Sequence, residues 1–172
     1  MNSLATTGRR HGLRKPTAVR GFTLIEILIV VAIVGVLLSA AVPAFSSFVK
    51  AARLRSAASG LYEALTIARS EAIKRNASVS VSAAAGGWQD GWTVKFGTTT
   101  LKEWQAEAGV TYRDATGTGD ITYGLSGRIT GTRELVLYVA SDSKIAARCV
   151  LVDAGGRVNT RVDKDGDQSN GC

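Results

Sequence analysis

The segment that decides the fold of this chain reads RGFTLIEILIVV from Arg20 to Val31. From Phe22 to Val42 the chain has 21 consecutive residues, and Glu26 is the only charged one. A run of that length and composition is typical of a membrane-spanning helix and not of a core helix. It excludes an ordinary soluble cytoplasmic protein.

Basic residues are distributed unevenly around this apolar run. The chain has a net charge of +7, but residues 1–21 carry five bases and no acid, whereas the remainder carries 16 bases and 14 acids. An excess of Lys and Arg on one side of a membrane span marks the cytoplasmic side. We therefore predict that residues 1–21 are cytoplasmic, and we interpret the high net charge as a topology signal rather than as evidence for nucleic-acid binding.

The chain offers few groups for catalysis or metal binding. Its one histidine, His11, lies in the basic leader, and Cys149 and Cys172 are its two cysteines. Without the leader, His-dependent nucleophile systems and zinc sites made of His or Cys are excluded. We expect no enzymatic activity, no cofactor and no metal site.

The two cysteines most simply form one disulfide outside the cytoplasm, with two free thiols as the alternative. A bond between Cys149 and Cys172 would close a loop of about two dozen residues and stabilise the fold by about 3 kcal/mol in the chain-entropy model. It would tether a tail in which acids alternate from Asp163 to Asp167. Gly166 does not fit the glycine position of an EF-hand and the distal Glu is missing, so we favour a solvated loop over a calcium site.

The position of Glu26 in the apolar run is energetically unfavourable, because inserting a charge at the centre of a membrane helix costs about 2.5–3.5 kcal/mol. Such a residue is a functional candidate by default. The competing interpretation is a secretory signal peptide with small residues for cleavage at 39–41. It would need a leader of about 40 residues with an acid inside its apolar core, which is unlike an ordinary signal.

The motif Gly-Phe-Thr-Leu-Ile-Glu after a short basic leader resembles the class III signal of type IV pilins and of type II secretion pseudopilins. The resemblance implies that a prepilin peptidase cleaves between Gly21 and Phe22 and methylates the new amine of Phe22. It implies that Glu26 pairs with the N-terminal amine of a neighbouring subunit, which lowers the cost of burying both charges. Pro43 matches the proline of the family's apolar helix, where it would bend or loosen the helix during assembly.

The helical pattern continues beyond Pro43 and becomes amphipathic. Apolar residues at steps of three and four predict one buried face of a helix that runs from Phe22 to near Arg75. The residues of this face are Leu54, Ala58, Leu61, Leu65, Ala68 and Ala72.

After Asn76 the periodicity becomes strand-like, with Gly-, Asp- and Ser-rich turns between the segments. One helix followed by six or seven short strands predicts an α+β fold with a mostly antiparallel sheet. Residues 109–134, rich in Gly and Thr, are predicted to form a long hairpin or loop. The tryptophans Trp88, Trp92 and Trp104 are predicted to be core and packing anchors. The predicted strands are Val79–Ala83, Trp92–Phe96, Thr100–Trp104, Ile121–Tyr123, Leu135–Val139, Cys149–Val152 and Arg157–Val162.

The segments ARSEA (residues 68–72) and GWQDGW (residues 87–92) resemble the GspH/FimT/FimU group of minor pilins. The resemblance implies a type IV pilin-like fold with residues 1–21 as a cleaved cytoplasmic leader, residues 22–49 as the transmembrane and assembly helix, and residues 50–172 as a periplasmic globular domain. It implies a minor pilin or pseudopilin of a type IV pilus or type II secretion system, acting in the tip or priming complex. Its partners would be other pilin subunits, the prepilin peptidase, the inner membrane and the assembly platform, and assembly would carry it into a filament or to the cell surface.

The alternative function is that of a FimT-like minor pilin that binds double-stranded DNA for natural transformation. FimT-type subunits carry a Gly-Arg-x-Arg motif, of which Gly156, Arg157 and Val158 match the first three positions and Asn159 departs at the fourth. Side chains alternate along a strand, so Arg157, Asn159 and Arg161 are predicted to share one face, where Arg161 would supply the missing charge. A structural role for Arg157 is the competing interpretation, and nearby acids would repel phosphate.

Overall fold

The computed structural model describes residues 21–117, 119–165, 167 and 172. One helix, α1 (Leu24–Arg75), precedes the strands. The strands in chain order are β1 (Val79–Ala84), β2 (Gly87–Phe96), β3 (Thr99–Trp104), β4 (Thr111–Asp114), β5 (Ile121–Tyr123), β6 (Arg133–Tyr138), β7 (Arg148–Val152) and β8 (Val158–Val162).

The chain divides into two compact units, one that ends at Ala40 and one that runs from Ala41 to Cys172. In the first unit the side chains described from Phe22 to Ser39 are all exposed. This part of α1 is long and apolar enough to cross a membrane. A helix that is apolar on every side and exposed needs lipid or other helices around it.

In the second unit, α1 packs through the face that the sequence predicts. All six predicted residues, from Leu54 to Ala72, are buried. Ala57 and Ala64 are buried as well, so the contact is wider than the predicted stripe. These two alanines lie next to the stripe, and a pattern of large apolar residues does not reveal them.

The strands form two four-stranded sheets, a first sheet in the order β3-β2-β1-β5 and a second in the order β4-β6-β7-β8. Every neighbouring pair is antiparallel, as predicted. The chain enters the first sheet with β1 to β3, crosses to the second with β4, returns with β5 and ends in the second with β6 to β8. Both sheets contribute to one core with α1, which includes Leu65, Val81, Trp92, Leu135 and Val150.

The prediction of a long hairpin or loop over residues 109–134 is wrong in part, because the region contains β4, which was not predicted, and the first two residues of β6. β5 lies where the strand Ile121–Tyr123 was predicted. Of the four residues of β4, only Tyr112 is fully buried. Its ring lies 5.6 Å from that of Trp92, and its hydroxyl accepts a hydrogen bond from the Glu107 N–H over 3.0 Å. A short polar edge strand with one buried residue has too few apolar positions to show a strand period.

Trp88 and Trp92 are buried, and Trp104 is partly buried and packs against the core, as predicted. Trp104 links β3 to the helix, since its Nε1 donates to Glu63 Oε2 over 3.3 Å and the Lys102 ammonium lies 4.6 Å from its ring centroid. Lys102 also donates to Glu63 over 2.6 Å. These two hydrogen bonds, that of Lys102 first, lower the pKa of the Glu63 carboxyl.

Candidate functional site

The helix of the first unit begins with a capping box. The Glu26 N–H donates to Thr23 Oγ1 over 3.3 Å, and the Thr23 N–H donates to Glu26 Oε2 over 3.5 Å. Thr23 immediately precedes the first helical residue, Leu24, and Glu26 is the third, which is the spacing that this reciprocal cap requires. The cap was not predicted from the sequence, although Thr-x-x-Glu before an apolar run is its recognised signal.

Gly21 and Phe22 lie before the helix, outside regular secondary structure, and both are exposed. The carboxylate of Glu26 therefore lies close in sequence to this non-helical segment and on the first turn of an apolar helix. Acidic side chains are favourable on the first turn, where the helix N-terminus is positive. The basic leader, residues 1–20 with His11, lies outside the described residues.

Pro43 lies within α1, in the second unit. Proline has no N–H and cannot donate to the carbonyl of residue 39. The helix nevertheless continues to Arg75. Helices tolerate such a gap where the surrounding surface satisfies the freed carbonyl.

A disulfide joins Cys149 to Cys172, as predicted, with the two Cα atoms 6.0 Å apart. Cys149 is fully buried with Val136 in a small cluster on the face of the second sheet that is opposite to the core. Cys172 is exposed, and its N–H donates to Glu134 Oε1 over 3.0 Å. The bond therefore fixes the C-terminal residue against β6 and β7.

Asn159 and Arg161 point to the same face of the second sheet as the disulfide. Along the β7–β8 ladder, Arg161 lies opposite Cys149 and Asn159 opposite Leu151. Both side chains are exposed, and Arg161 lines a cavity with Cys172 and its neighbours in the tail. The alternation predicted for these two residues is present in the ladder.

Arg157 lies one residue before β8 and not within it, so the predicted strand starts one residue too early. Its Nε is 2.9 Å from Asp153 Oδ2, and its backbone N–H donates to Asp153 Oδ1 over 3.0 Å. These bonds, the backbone one first, lower the pKa of the Asp153 carboxyl. Arg157 thus has a structural role in the turn between β7 and β8.

The two glycines before Arg157 belong to the same turn. The Gly156 N–H donates to the Asp153 carbonyl over 2.8 Å, and Gly156 has a φ of +76°. A Cβ at Gly156 would collide with the backbone carbonyl of Gly127. The Gly-Arg pair is therefore explained by the turn, whatever else the arginine does.

The acidic tail is not the fully solvated loop that the sequence predicts. Asp163 is buried, and its N–H extends the β7–β8 ladder by donating to the Ala147 carbonyl over 2.9 Å. Asp163 Oδ1 accepts from the Asp165 N–H over 3.1 Å. Within the described part of the tail, which omits Gly166, the carboxylates do not converge on a common point as metal ligands do.

The first unit and the fold have counterparts among known proteins. Residues 17–42 match the model of the prokaryotic N-terminal methylation motif. The fold is similar to that of the type IV minor pilin FimU of Pseudomonas aeruginosa, with a TM-score of 0.59 and 19% identity over 66% of this chain and 92% of that chain. It is also similar to the minor pseudopilin EpsH of the type 2 secretion system of Vibrio cholerae, with a TM-score of 0.51 and 14% identity over 64% of this chain and 97% of that chain. At these identities the likeness establishes the fold alone.

An apolar N-terminal helix with a methylation motif, followed by this fold, defines a type IV pilin-like protein anchored in the inner membrane. Residues 57–156 match the model of the type II transport protein GspH. The chain belongs to the GspH family, and it is a minor pilin or pseudopilin of a type IV pilus or type II secretion system. It is a structural subunit and not an enzyme. A search of the curated proteins found no match.

Proposed function

We propose that the protein is inserted in the inner membrane with residues 1–21 in the cytoplasm, residues 22–49 as the membrane and assembly segment, and residues 50–172 in the periplasm. Processing would then release it to join other pilin subunits in the tip or priming complex of the filament. The observation that carries the proposal is the exposed apolar helix with Glu26 on its first turn, which lies within the matched N-terminal methylation motif.

Processing would occur between Gly21 and Phe22. Both residues are exposed and precede the helix, so a prepilin peptidase would not have to unwind α1 to cut between them. Cleavage makes Phe22 the N-terminal residue, whose amine is then methylated. It places a cation close to the hydrogen bonds between Thr23 and Glu26.

Glu26 would act in assembly as the partner of that cation on a neighbouring subunit. A lone carboxylate within the hydrocarbon region is unfavourable, and pairing with an amine removes most of that cost. Before assembly, the Thr23 N–H donates to the carboxylate, and Thr23 Oγ1 accepts from the Glu26 N–H, which keeps the helix start formed. The assembly platform of the inner membrane would bring the two subunits together, and Pro43 would allow the helix to adjust there.

Glu26→Gln tests this role because glutamine can keep the capping box while removing the charge. We expect the variant to lose residues 1–21 and to gain the methyl group on Phe22 as the wild type does, since the helix start is unchanged. We expect its incorporation into filaments to fall about tenfold or more, the effect of losing one charge pair in a low-dielectric site. Mass spectrometry of the mature chain and its recovery in sheared filaments would measure the two steps separately.

Thr23→Ala is the matched control, since it removes the cap oxygen and keeps the charge. It should assemble far better than Glu26→Gln. Equal incorporation of Glu26→Gln and the wild type would contradict the charge-pairing role, and a mature chain that still carries residues 1–21 would contradict the cleavage site.

The second candidate function is DNA capture through Arg157, Asn159 and Arg161. It is supported by the exposed side chains of Asn159 and Arg161 on one face of β8, whereas the ion pair of Arg157 with Asp153 competes with phosphate. Arginines on an exposed strand can hold phosphates without reading the base sequence. Such binding would weaken steeply as salt rises.

Arg161→Ala should reduce the affinity for a DNA duplex and lower the salt slope of binding by about one, as expected for one phosphate contact. Titrations of the full chain in detergent micelles at several salt concentrations would measure this. Arg128→Ala, at an exposed arginine outside the proposed face, is the control. Binding that does not depend on salt, or that Arg161→Ala leaves unchanged, would contradict DNA capture through this strand.

A further inference from the structure

β8 has one side without a partner strand. It is the last strand in the order β4-β6-β7-β8, and among the described strands only β7 pairs with it. Two hydrogen bonds define which of its residues face β7: the Asp153 N–H donates to the Arg157 carbonyl over 3.1 Å, and the Asp163 N–H donates to the Ala147 carbonyl over 2.9 Å. Both residue pairs continue the register of the β7–β8 ladder, one at each end.

Hydrogen-bonded and non-hydrogen-bonded pairs alternate along an antiparallel ladder. The odd-numbered residues from Arg157 to Asp163 therefore direct their N–H and C=O groups to β7. Val158, Thr160 and Val162 direct theirs away from β7, to the open edge. The edge offers three donors and three acceptors in the spacing that an added strand needs.

Proteins usually protect such an edge with proline, a bulge or an inward-pointing lysine. β8 reads VNTRV, contains no proline, and pairs with β7 without a shift of register. Thr160 is exposed, and 45% of the Val162 surface is exposed although it is apolar. Among the described residues no strand pairs with this edge, so it can accept an extended segment.

A cavity of about 380 Å³ lies next to this edge, between α1 and the second sheet, and we call it the β8 cavity. Two arginines line it, Arg55 from the helix and Arg148 from β7, and no acid does. Among the described residues, neither arginine has an ion pair or a side-chain hydrogen bond. The complete lining is Arg55, Ala58, Ser59, Tyr62, Arg148 and Thr160.

The two guanidinium groups and the hydroxyls of Ser59, Tyr62 and Thr160 give this cavity hydrogen-bond donors and positive charge, which suit an anion. Guanidinium groups bind carboxylates through two parallel hydrogen bonds. Thr160 belongs both to the cavity and to the open edge, so an occupant of one reaches the other. Nucleic acid would supply the anion but has no peptide groups to complete the ladder.

We propose that the open edge of β8 and the β8 cavity together dock an extended segment of another subunit, which adds a fifth strand to the second sheet and places a carboxylate side chain beside Arg55 and Arg148. Ladder hydrogen bonds supply affinity in this mode, and the alternate side chains supply specificity. The proposal rests on the assembly function above in taking the partner to be a filament subunit. It assigns the globular unit a contact that does not depend on the membrane and assembly segment, residues 22–49.

The test uses the purified full chain in detergent micelles and a labelled peptide, Ser-Thr-Val-Thr-Glu-Thr-Val-Thr-Ser. In an extended conformation this peptide presents Val, Glu and Val on one face. The control peptide, Ser-Thr-Val-Glu-Thr-Thr-Val-Thr-Ser, has the same composition, but its Glu lies on the opposite face, because a shift of one residue reverses the side of a strand. We expect the first peptide to bind about tenfold more tightly, the effect of one charge-assisted contact.

Arg148→Gln and Arg55→Gln should each remove the preference for the first peptide, whereas Arg128→Gln, away from the cavity, should keep it. Thr160→Pro should weaken both peptides, because it removes an N–H from the open edge and none from the β7 ladder. Circular dichroism would verify that each variant is folded.

Equal binding of the two peptides, or no binding of either to the wild type, would overturn the proposal. Binding of a DNA duplex that Arg148→Gln abolishes would assign the cavity to phosphate and would overturn it as well. Since the experiment uses unassembled protein, a failure here is distinguishable from a failure of the charge pairing at Glu26.

Discussion

Asp114→Ala should lower the free energy of unfolding by about 3–5 kcal/mol, the usual cost of removing one partner of a buried ion pair. Asp114 on β4 pairs with Arg133 on β6, and the two side chains are only 8% and 15% exposed. Arg133 also donates to the Gly119 carbonyl over 3.1 Å. Asp114 Oδ1 accepts from the Gly117 N–H over 3.1 Å, so the carboxylate also organises the turn after β4.

The loss has two causes, an unpaired buried cation and a loosened turn, which a double variant separates. Asp114→Ala combined with Arg133→Met removes the cation as well and should recover most of the stability, because an apolar pair of similar size replaces a buried ion pair at little cost. Urea unfolding of the full chain in micelles, followed by tryptophan fluorescence, would measure both variants. A double variant no more stable than Asp114→Ala would show that the turn, and not the cation, dominates.

Cys172→Ser should lower the free energy of unfolding by about 3 kcal/mol in the chain-entropy model, since the bond closes a loop between residues 23 positions apart. Cys172 is the better position for the change because it is exposed, whereas a serine at the fully buried Cys149 would bury a hydroxyl as well. The same urea experiment, with and without a thiol reductant, would measure the effect.

Reduction of the wild type should produce the same loss, and the reductant should leave Cys172→Ser unchanged. An unfolding midpoint of Cys172→Ser equal to that of the oxidised wild type would contradict a stabilising role for the bond.

Local patterns predicted the parts of the fold that depend on neighbours in sequence. The apolar run from Phe22, the buried face from Leu54 to Ala72 and the Cys149–Cys172 bond could all be inferred, because periodicity, length and cysteine number carry that information. β4 was not predicted, since a strand with a single buried residue, Tyr112, has no detectable hydrophobic period. The division into two sheets was not predicted, because it depends on which strands pair across long separations in sequence.

The same distinction applies to the candidate sites: residues close together in sequence could be predicted to act together, and residues that meet only in the fold could not. Thr23 and Glu26 are three residues apart, so the cap could be predicted from the sequence, although Glu26 was predicted to act in assembly alone. Arg157 was placed on the strand, but a turn of five residues from Asp153 holds it just outside. Arg55 and Arg148 were not predicted to be site residues, because they meet at one cavity only after α1 packs against the second sheet.

The repeated crossing of the chain between its two sheets bears on how the globular unit folds. β5 follows β4 along the chain but belongs to the other sheet, so the strands of the two sheets are interleaved in sequence. A partly unfolded state with one intact sheet would leave core residues such as Trp92 and Leu135 without their partners, which makes unfolding all-or-none. Pairings between distant segments also slow folding. We therefore expect the globular unit to be fully folded when it joins a growing filament. A chain whose globular unit is not folded should instead be degraded by proteases.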